Sequence, residues 1–489
     1  MTEAESVDVA IIGAGFAGLG MGIQLARGGR ESFIILERAQ DVGGTWRDNH
    51  YPGVSCDIPS HLYCFSFLPK PDWSRMFAAG TEIQQYLQDC VRRESLQPHL
   101  RLGAEVIEAR WDPAAGAWQI ATGEGSYRAR SLVVATGRLS EPRIPDIDGL
   151  KEFSGPLFHS AQWDHEASLA GRRVGIVGTG ASAAQIAPQL AGRASELVVF
   201  QRSAPWVVPR GDRAYTEDER RRFREDPESV QALREQLFSD AELAVGQRKR
   251  AHPDIDQIRQ RALDHLAAQV PDPRLRELLT PAYEIGCKRI LLSDDFYPAL
   301  SRSDVVLEPS PLARLDGNLA VAAGGARYSL DALVLATGFL STRPPIARRV
   351  RGRDGVLLAE RWADGMVAHA STTVHGFPNM YVLDGPNASL GHNSAIHMIE
   401  TQIGYVLGAL EHLERSGAGW VEVTAAAEDA YTRDIDEMSR DTVWIKGGCT
   451  SWYRDEASGR LTLLWPDSAR SFRDRNGVFD PSSYTVCSV

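Results

Sequence analysis

A chain of 489 residues, 43% apolar and 24% charged, is long enough for two or three domains and has the composition of an ordinary globular protein. Its net charge of −11 argues against a sequence-independent hold on nucleic acid or on an acidic membrane surface, since both need a positive footprint. Its six cysteines, Cys56, Cys64, Cys90, Cys287, Cys449 and Cys487, include no CxxC pair, so neither a disulfide framework, a zinc cluster nor a disulfide-reductase redox pair is expected.

The first residues, Met1 to Gly15, run acidic side chains into an apolar strand without a basic n-region or a cleavage site. No apolar run reaches the length of a membrane span, so the expectation is a cytoplasmic protein with no membrane partner. Val7 to Ile12 predicts a strand that enters Gly13-x-Gly15-x-x-Gly18. A helix should follow through Leu25 and stop at Gly28-Gly29, and a second strand, Phe33 to Leu36, ends on Glu37. This order of strand, glycine turn, helix, strand and acid is that of a dinucleotide fold. The helix-start N–H groups receive a pyrophosphate, and the acid bonds a ribose.

The next stretch of interest is GGTWRDNHYPGVSCD, Gly43 to Asp57. Alternation from Arg101 to Ile120 suggests strands, and Ser131 to Gly137, SLVVATG, is echoed by LVLATG at Leu333 to Gly338. That echo points to two related domains. Between the echoes lies FSGPLFHSAQWD, Phe153 to Asp164, read as a hinge whose glycine permits unusual backbone angles and whose aromatics anchor it to both bodies.

A second cradle follows. Arg173 to Val177 predicts a strand, then comes Gly178-x-Gly180-x-x-Ala183, and an apolar helix runs to about Leu190. The strand Leu197 to Phe200 ends in Gln201-Arg202-Ser203, where an NAD site would carry an acid. A guanidinium in place of that carboxylate favours the 2′-phosphate of NADP, so NADPH is expected over NADH. Thr216-x-x-Glu219 reads as a capping box opening a charged helical insertion at about 212–280. GCKRILLSDDFYPAL, Gly286 to Leu300, carries the adjacent pair Lys288-Arg289. His392 and His397 lack metal-ligand spacing and no metal is expected. The aromatic tail, with Trp444, Trp452, Tyr453 and Trp465, is expected to line or close a site.

Phe153, Gly155, His159, Trp163 and Asp164 fit FxGxxxHxxxW(P/D), which resembles the fingerprint of type I Baeyer–Villiger monooxygenases. Gly44, Trp46, Tyr51, Pro52, Gly53 and Asp57 fit a second pattern of that family, (A/G)GxWxxxx(F/Y)P(G/M)xxxD. The resemblance covers nearly the whole chain. It implies an α/β fold of two Rossmann-like domains: 1–150 as the first part of an FAD domain, 151–350 as an NADP domain carrying the insertion, and 351–489 as the rest of the FAD domain and a tail. By the same resemblance Phe16, Glu37, Thr45, Trp46, Asp57, Tyr63 and Val106 surround FAD, with Gly13, Gly15 and Gly18 in its cradle. Thr179, Gly180, Ser182, Ala183, Gln185, Arg202, Ser203 and Lys288 contact NADPH, with Gly178 at the turn. HGFPNMYVLDGPNASLGHNSAIHMIETQIGYV, His375 to Val406, resembles the segment that sets a strand and a long helix against the flavin.

The implied reaction takes NADPH, O₂ and a ketone to an ester or lactone through an anionic flavin C4a-peroxide. Arg289 becomes the cation that stabilises it and Asp57 the carboxylate that holds Arg289. His159 is read as a structural or hinge contact rather than an acid or base. An N- or S-oxygenating flavin monooxygenase, which shares both cradles, stands as the alternative. A quinone-reducing flavoprotein at a membrane is a third reading, without an amphipathic segment to support it. The particular ketone and the oligomeric state are left open by the sequence.

Overall fold

The computed structural model describes residues 4–249 and 252–487. Two parallel-rich sheets organise it. The first contains β1 (Glu5–Ile12), β2 (Phe33–Glu37), β3 (Leu100–Leu102), β4 (Val106–Asp112), β5 (Ala117–Thr122) and β6 (Ser126–Val134). The second contains β7 (Leu157–His159), β8 (Arg173–Val177), β9 (Glu196–Phe200), β10 (Val305–Glu308) and β11 (Ala332–Leu335). The chain then returns to the first sheet as β12 (Val350–Arg351) and β13 (Met380–Val382). The strand order is β12-β4-β5-β6-β1-β2-β3 in the first sheet and β10-β9-β8-β11-β7 in the second.

Residue pattern explains why both sheets are buried on two faces. In the first, Ile11 lies beside Ile35 and Val133, and these three join one core cluster. Their neighbours Ala10, Ile34 and Leu132 join another on the opposite face. A strand that is apolar at successive positions suits a central parallel sheet covered by helices on both sides. One of those covers pairs the helix Phe16–Arg27 with the long helix Ala395–Ser416. β5 covers only the first half of one edge of β6, and β13 takes up the rest by pairing Met380–Val382 with Leu132–Val134.

Between β9 and β10 sit helices Glu217–Glu225, Pro227–Leu243, Pro253–Gln269 and Pro273–Leu278. The first opens on the expected capping box, with the Thr216 hydroxyl accepting from the Glu219 N–H while the Glu219 carboxylate accepts from the Thr216 N–H. The other three each begin with proline at the first position, where its missing N–H costs nothing. Among the described residues no helix is long and apolar enough to cross a membrane.

The stretch read as a hinge is built differently. Its middle, Leu157–His159, is the edge strand β7, paired in parallel with Leu333–Leu335. A three-residue strand is too short for an alternation signal, which is why the sequence read as a linker. Gly155 is needed for packing: a Cβ there would lie 2.2 Å from the Asp331 carbonyl oxygen. His159 is buried, its Nδ1 accepting from the Ala161 N–H and its ring edge-on to Phe339. Burial pushes its pKa down to about 4, so it stays neutral and structural at pH 7.

Candidate active site

The first cradle is shaped by close backbone approach. Gly13 adopts φ +104°, and a Cβ on it would lie 2.6 Å from the Ala135 carbonyl oxygen. Gly178 repeats this in the second cradle, with φ +113° and 2.5 Å to the Ala336 carbonyl oxygen. The echoed Ala-Thr-Gly segments therefore serve the same end in both domains: each lays a strand end beneath a glycine turn. No side chain caps Phe16–Arg27 or Ala181–Leu190, so their first-turn N–H groups suit an anionic ligand. Gly18 and Ala183, the third fingerprint positions, lie beneath the cradles rather than on the cavity wall. A Cβ on Gly18 would lie 1.8 Å from the Gly13 carbonyl oxygen, and Ala183 is fully buried.

At the end of β2 the Glu37 carboxylate accepts from the N–H groups of Ala14 at 2.9 Å and Ala39 at 3.0 Å, and pairs with Arg47. Nearby, the Trp46 indole donates to the Tyr63 hydroxyl at 3.2 Å, and the Phe16 ring stands edge-on to Tyr63 at 5.3 Å. Thr45 and Val106 complete that wall. The Gly43 to Asp57 stretch runs from there to the second domain: the Tyr51 hydroxyl donates to the Gln185 side chain at 2.9 Å, and the Gln185 amide donates to the Ser55 carbonyl at 2.9 Å.

Past β9, Arg202 is exposed on the cavity wall and Lys288 donates to the Ser203 hydroxyl at 2.7 Å. Burial and then the charge of Arg202 depress the Lys288 pKa. Among the described residues neither cation pairs with a carboxylate. Two like charges converging without a counter-ion on a hydroxyl-bearing loop are suited to an anion.

Where the two domains meet, Arg289 donates to both Asp57 oxygens, through Nε at 2.6 Å and Nη2 at 2.7 Å. Burial opposes both charges, yet the mutual attraction and paired bonds win. Asp57 is held below the ordinary carboxylate range, helped by Arg210, and Arg289 well above its ordinary value. The side chains are 28% and 27% exposed, and both line the cavity, so that open face is one a ligand would cover. Arg138 pairs with Asp384 on the same wall, and burial pulls its pKa down to about 10.

One cavity of about 1140 Å³ joins the two glycine turns, the Arg202–Lys288 loop and the Asp57–Arg289 pair, above the roughly 300–1,000 Å³ of a single small-molecule pocket. Gly13, Gly15, Phe16, Glu37, Thr45, Trp46, Asp57, Tyr63 and Val106 line one part; Gly178, Thr179, Gly180, Ser182, Gln185, Arg202, Ser203, Lys288 and Arg289 line the other. Of the tail aromatics, Trp452 and Tyr453 reach the cavity, whereas Trp444 and Trp465 are buried in cores away from its wall. Sequence reasoning missed Arg138 and Asp384. The arginine following the first Ala-Thr-Gly was the available signal.

The cysteine expectation needs correction. Cys287 and Cys449 form a disulfide across 162 residues, fastening the segment of Lys288 and Arg289 to the tail loop that carries Trp452 and Tyr453. No local spacing announces a bridge of that span. The remaining cysteines Cys56, Cys64, Cys90 and Cys487 are free.

Residues 10–225 match the family model described as pyridine nucleotide-disulphide oxidoreductase. A Baeyer–Villiger monooxygenase of Streptomyces coelicolor is 46% identical over 484 residues, 99% of this chain and 93% of the relative. The crystal structure of cyclohexanone monooxygenase from Rhodococcus sp. Phi1 bound to NADP⁺ superposes with TM-score 0.89 at 26% identity, covering 100% of both chains. The structure of an OTEMO complex with FAD and NADP does so with TM-score 0.86 at 25% identity, covering 99% of this chain and 100% of that one. The identity over nearly the full length shows that the chain belongs to the Baeyer–Villiger monooxygenases, enzymes that use FAD and NADPH.

Proposed function

We propose that this chain converts a ketone to an ester or lactone with NADPH and O₂, using Arg289 as a fixed cation beside the reacting centre. The observation that carries this reading is the two-bond Asp57–Arg289 pair on the wall between the two glycine cradles. Bound FAD, reduced by NADPH, supplies the activation of O₂. The chain supplies position and field.

Gly13 and Gly15 receive the FAD pyrophosphate, Glu37 its ribose, and Phe16, Trp46 and Tyr63 pack along it. Gly178, Thr179, Gly180 and Ser182 do the corresponding work for NADPH. Arg202, Lys288 and Ser203 hold its 2′-phosphate, which NADH lacks. Arg289 keeps its proton at any working pH and stabilises negative charge on oxygen. Asp57 restricts the guanidinium to one orientation. Leu390 and Trp452 give the cavity an apolar wall suited to a ketone's hydrocarbon, and cyclohexanone, named in one of the similar structures, is the first compound to assay.

The test is Arg289→Ala in the FAD-loaded enzyme. NADPH should still bleach the flavin, while ester yield collapses. Undiminished ester yield would remove Arg289 from the mechanism, and oxygenation of a thioether or amine in preference to every ketone would replace the reading with heteroatom oxidation.

A further inference from the structure

The loop that carries Lys288 makes a further contact on the cavity wall. The Tyr283 ring lies beneath the Lys288 ammonium, whose nitrogen is 4.9 Å from the ring centroid. Both side chains line the cavity, as do Arg202 and Ser203. Local sequence accounts for the contact. The Cys287 N–H donates to the Glu284 carbonyl at 3.1 Å, closing a turn in which Gly286 has φ +84°. Glycine enters that left-handed region without a steric penalty, and the turn brings Lys288 back over the ring of Tyr283.

The backbone beneath the ring is fastened on both sides. The Trp206 indole donates to the Tyr283 carbonyl at 2.9 Å, and the Glu284 N–H donates to the Gly447 carbonyl at 2.9 Å. Val207–Val208, just past Trp206, pairs in parallel with Leu291–Leu292, so backbone joins the Arg202–Ser203 loop to the Tyr283–Arg289 segment. Glu284, the one acid between Tyr283 and Arg289, is taken up by Arg259 and by the Ile285 N–H. Burial and then Arg202 work against the charge on Lys288. The ring works for it, because an aromatic face carries partial negative charge and attracts a cation placed over it.

A ring and a carboxylate would hold the lysine with different consequences. A carboxylate would cancel the charge and compete with an incoming anion, whereas a ring face holds the ammonium and leaves its charge available. Holding it also matters, since a lysine stem is flexible and ordering it on binding costs entropy. We infer that Tyr283 is a positioning residue for coenzyme choice: its ring face keeps the Lys288 ammonium beside the Ser203 hydroxyl, ready for the 2′-phosphate of NADPH. The inference rests on the reading of Arg202, Lys288 and Ser203 given above and adds the group that prearranges them. Its signature is selectivity, because a coenzyme without the 2′-phosphate gains nothing from a held ammonium.

The experiment measures the affinities of NADP⁺ and NAD⁺ for the FAD-loaded enzyme by isothermal titration calorimetry and compares their ratio between variants. Tyr283→Phe keeps the ring face and should keep the wild-type ratio. Tyr283→Leu removes the face, and trifluorophenylalanine placed at position 283 keeps the ring's shape while withdrawing its negative charge. Both should lower the preference for NADP⁺ about 5-fold, with FAD content equal to wild type showing that the fold is intact. In a Lys288→Met background neither change should lower it further. A fluorinated ring that matches Tyr283→Phe overturns the proposal, since a packing role does not depend on ring charge. Equal losses for NADP⁺ and NAD⁺ overturn it as well, by placing Tyr283 against the part the two coenzymes share. If Lys288→Met itself leaves the ratio unchanged, the phosphate reading falls, and this inference with it.

Discussion

Replacing Asp57 by asparagine keeps the shape of the side chain and removes its charge. Arg289 then faces one neutral acceptor in place of two carboxylate oxygens at 2.6 and 2.7 Å. A hydrogen bond to a charged group contributes about 1.5–3 kcal/mol and a neutral one about 1 kcal/mol. The roughly one-quarter exposure of both side chains trims the difference, because water in the cavity screens part of the charge. A loss of about 2 kcal/mol in holding the guanidinium follows, which corresponds to about 30-fold in the rate of ester formation. The assay is ester formed per NADPH oxidised, with hydrogen peroxide measured alongside. Asp57→Asn should divert reducing equivalents from ester to hydrogen peroxide, and Asp57→Glu should restore part of the coupling. An asparagine variant with wild-type ester per NADPH would refute the claim that Asp57 positions Arg289.

Arg202→Ala should weaken NADPH binding by about 10- to 100-fold and leave NADH nearly unchanged; equal losses in titrations with the two coenzymes would contradict the 2′-phosphate assignment. Gly13→Ala places a Cβ 2.6 Å from the Ala135 carbonyl oxygen at φ +104°, and the purified variant should carry little or no FAD by absorbance. Stability should fall with acid: His61 and His159 are buried, and burial depresses both to about 4, below the unfolded value of about 6.5. The unfolded chain therefore binds more protons between those limits, so stability is full above about pH 6.5 and is lost as the pH falls towards 4. The urea midpoint should drop between pH 7.5 and 5, and replacing both histidines by glutamine should flatten that decline.

What could be read from sequence follows the range of the interactions. The cradles were legible because glycine geometry, the strand before it and the acid after it all lie within one local unit. The Thr216–Glu219 box was legible for the same reason. The Asp57–Arg289 pair spans 232 residues, and only resemblance to a family linked its ends. Arg138–Asp384 and Cys287–Cys449 span 246 and 162 residues, and no local pattern joins them. β7 was misread as a hinge because a three-residue strand leaves no alternation to detect, although its glycine and histidine were both singled out.

The first sheet is not contiguous in the chain. β13 completes β6 only after the whole of the second sheet has been made. During synthesis the apolar edge at Leu132–Val134 therefore stays unpaired while the second unit, complete by Leu335, is able to fold. An open edge of that kind invites pairing with another chain. Low temperature or slow translation during expression should thus aggravate misassembly less than truncation before Met380, which would leave the N-terminal sheet permanently open and drive the fragment into inclusion bodies.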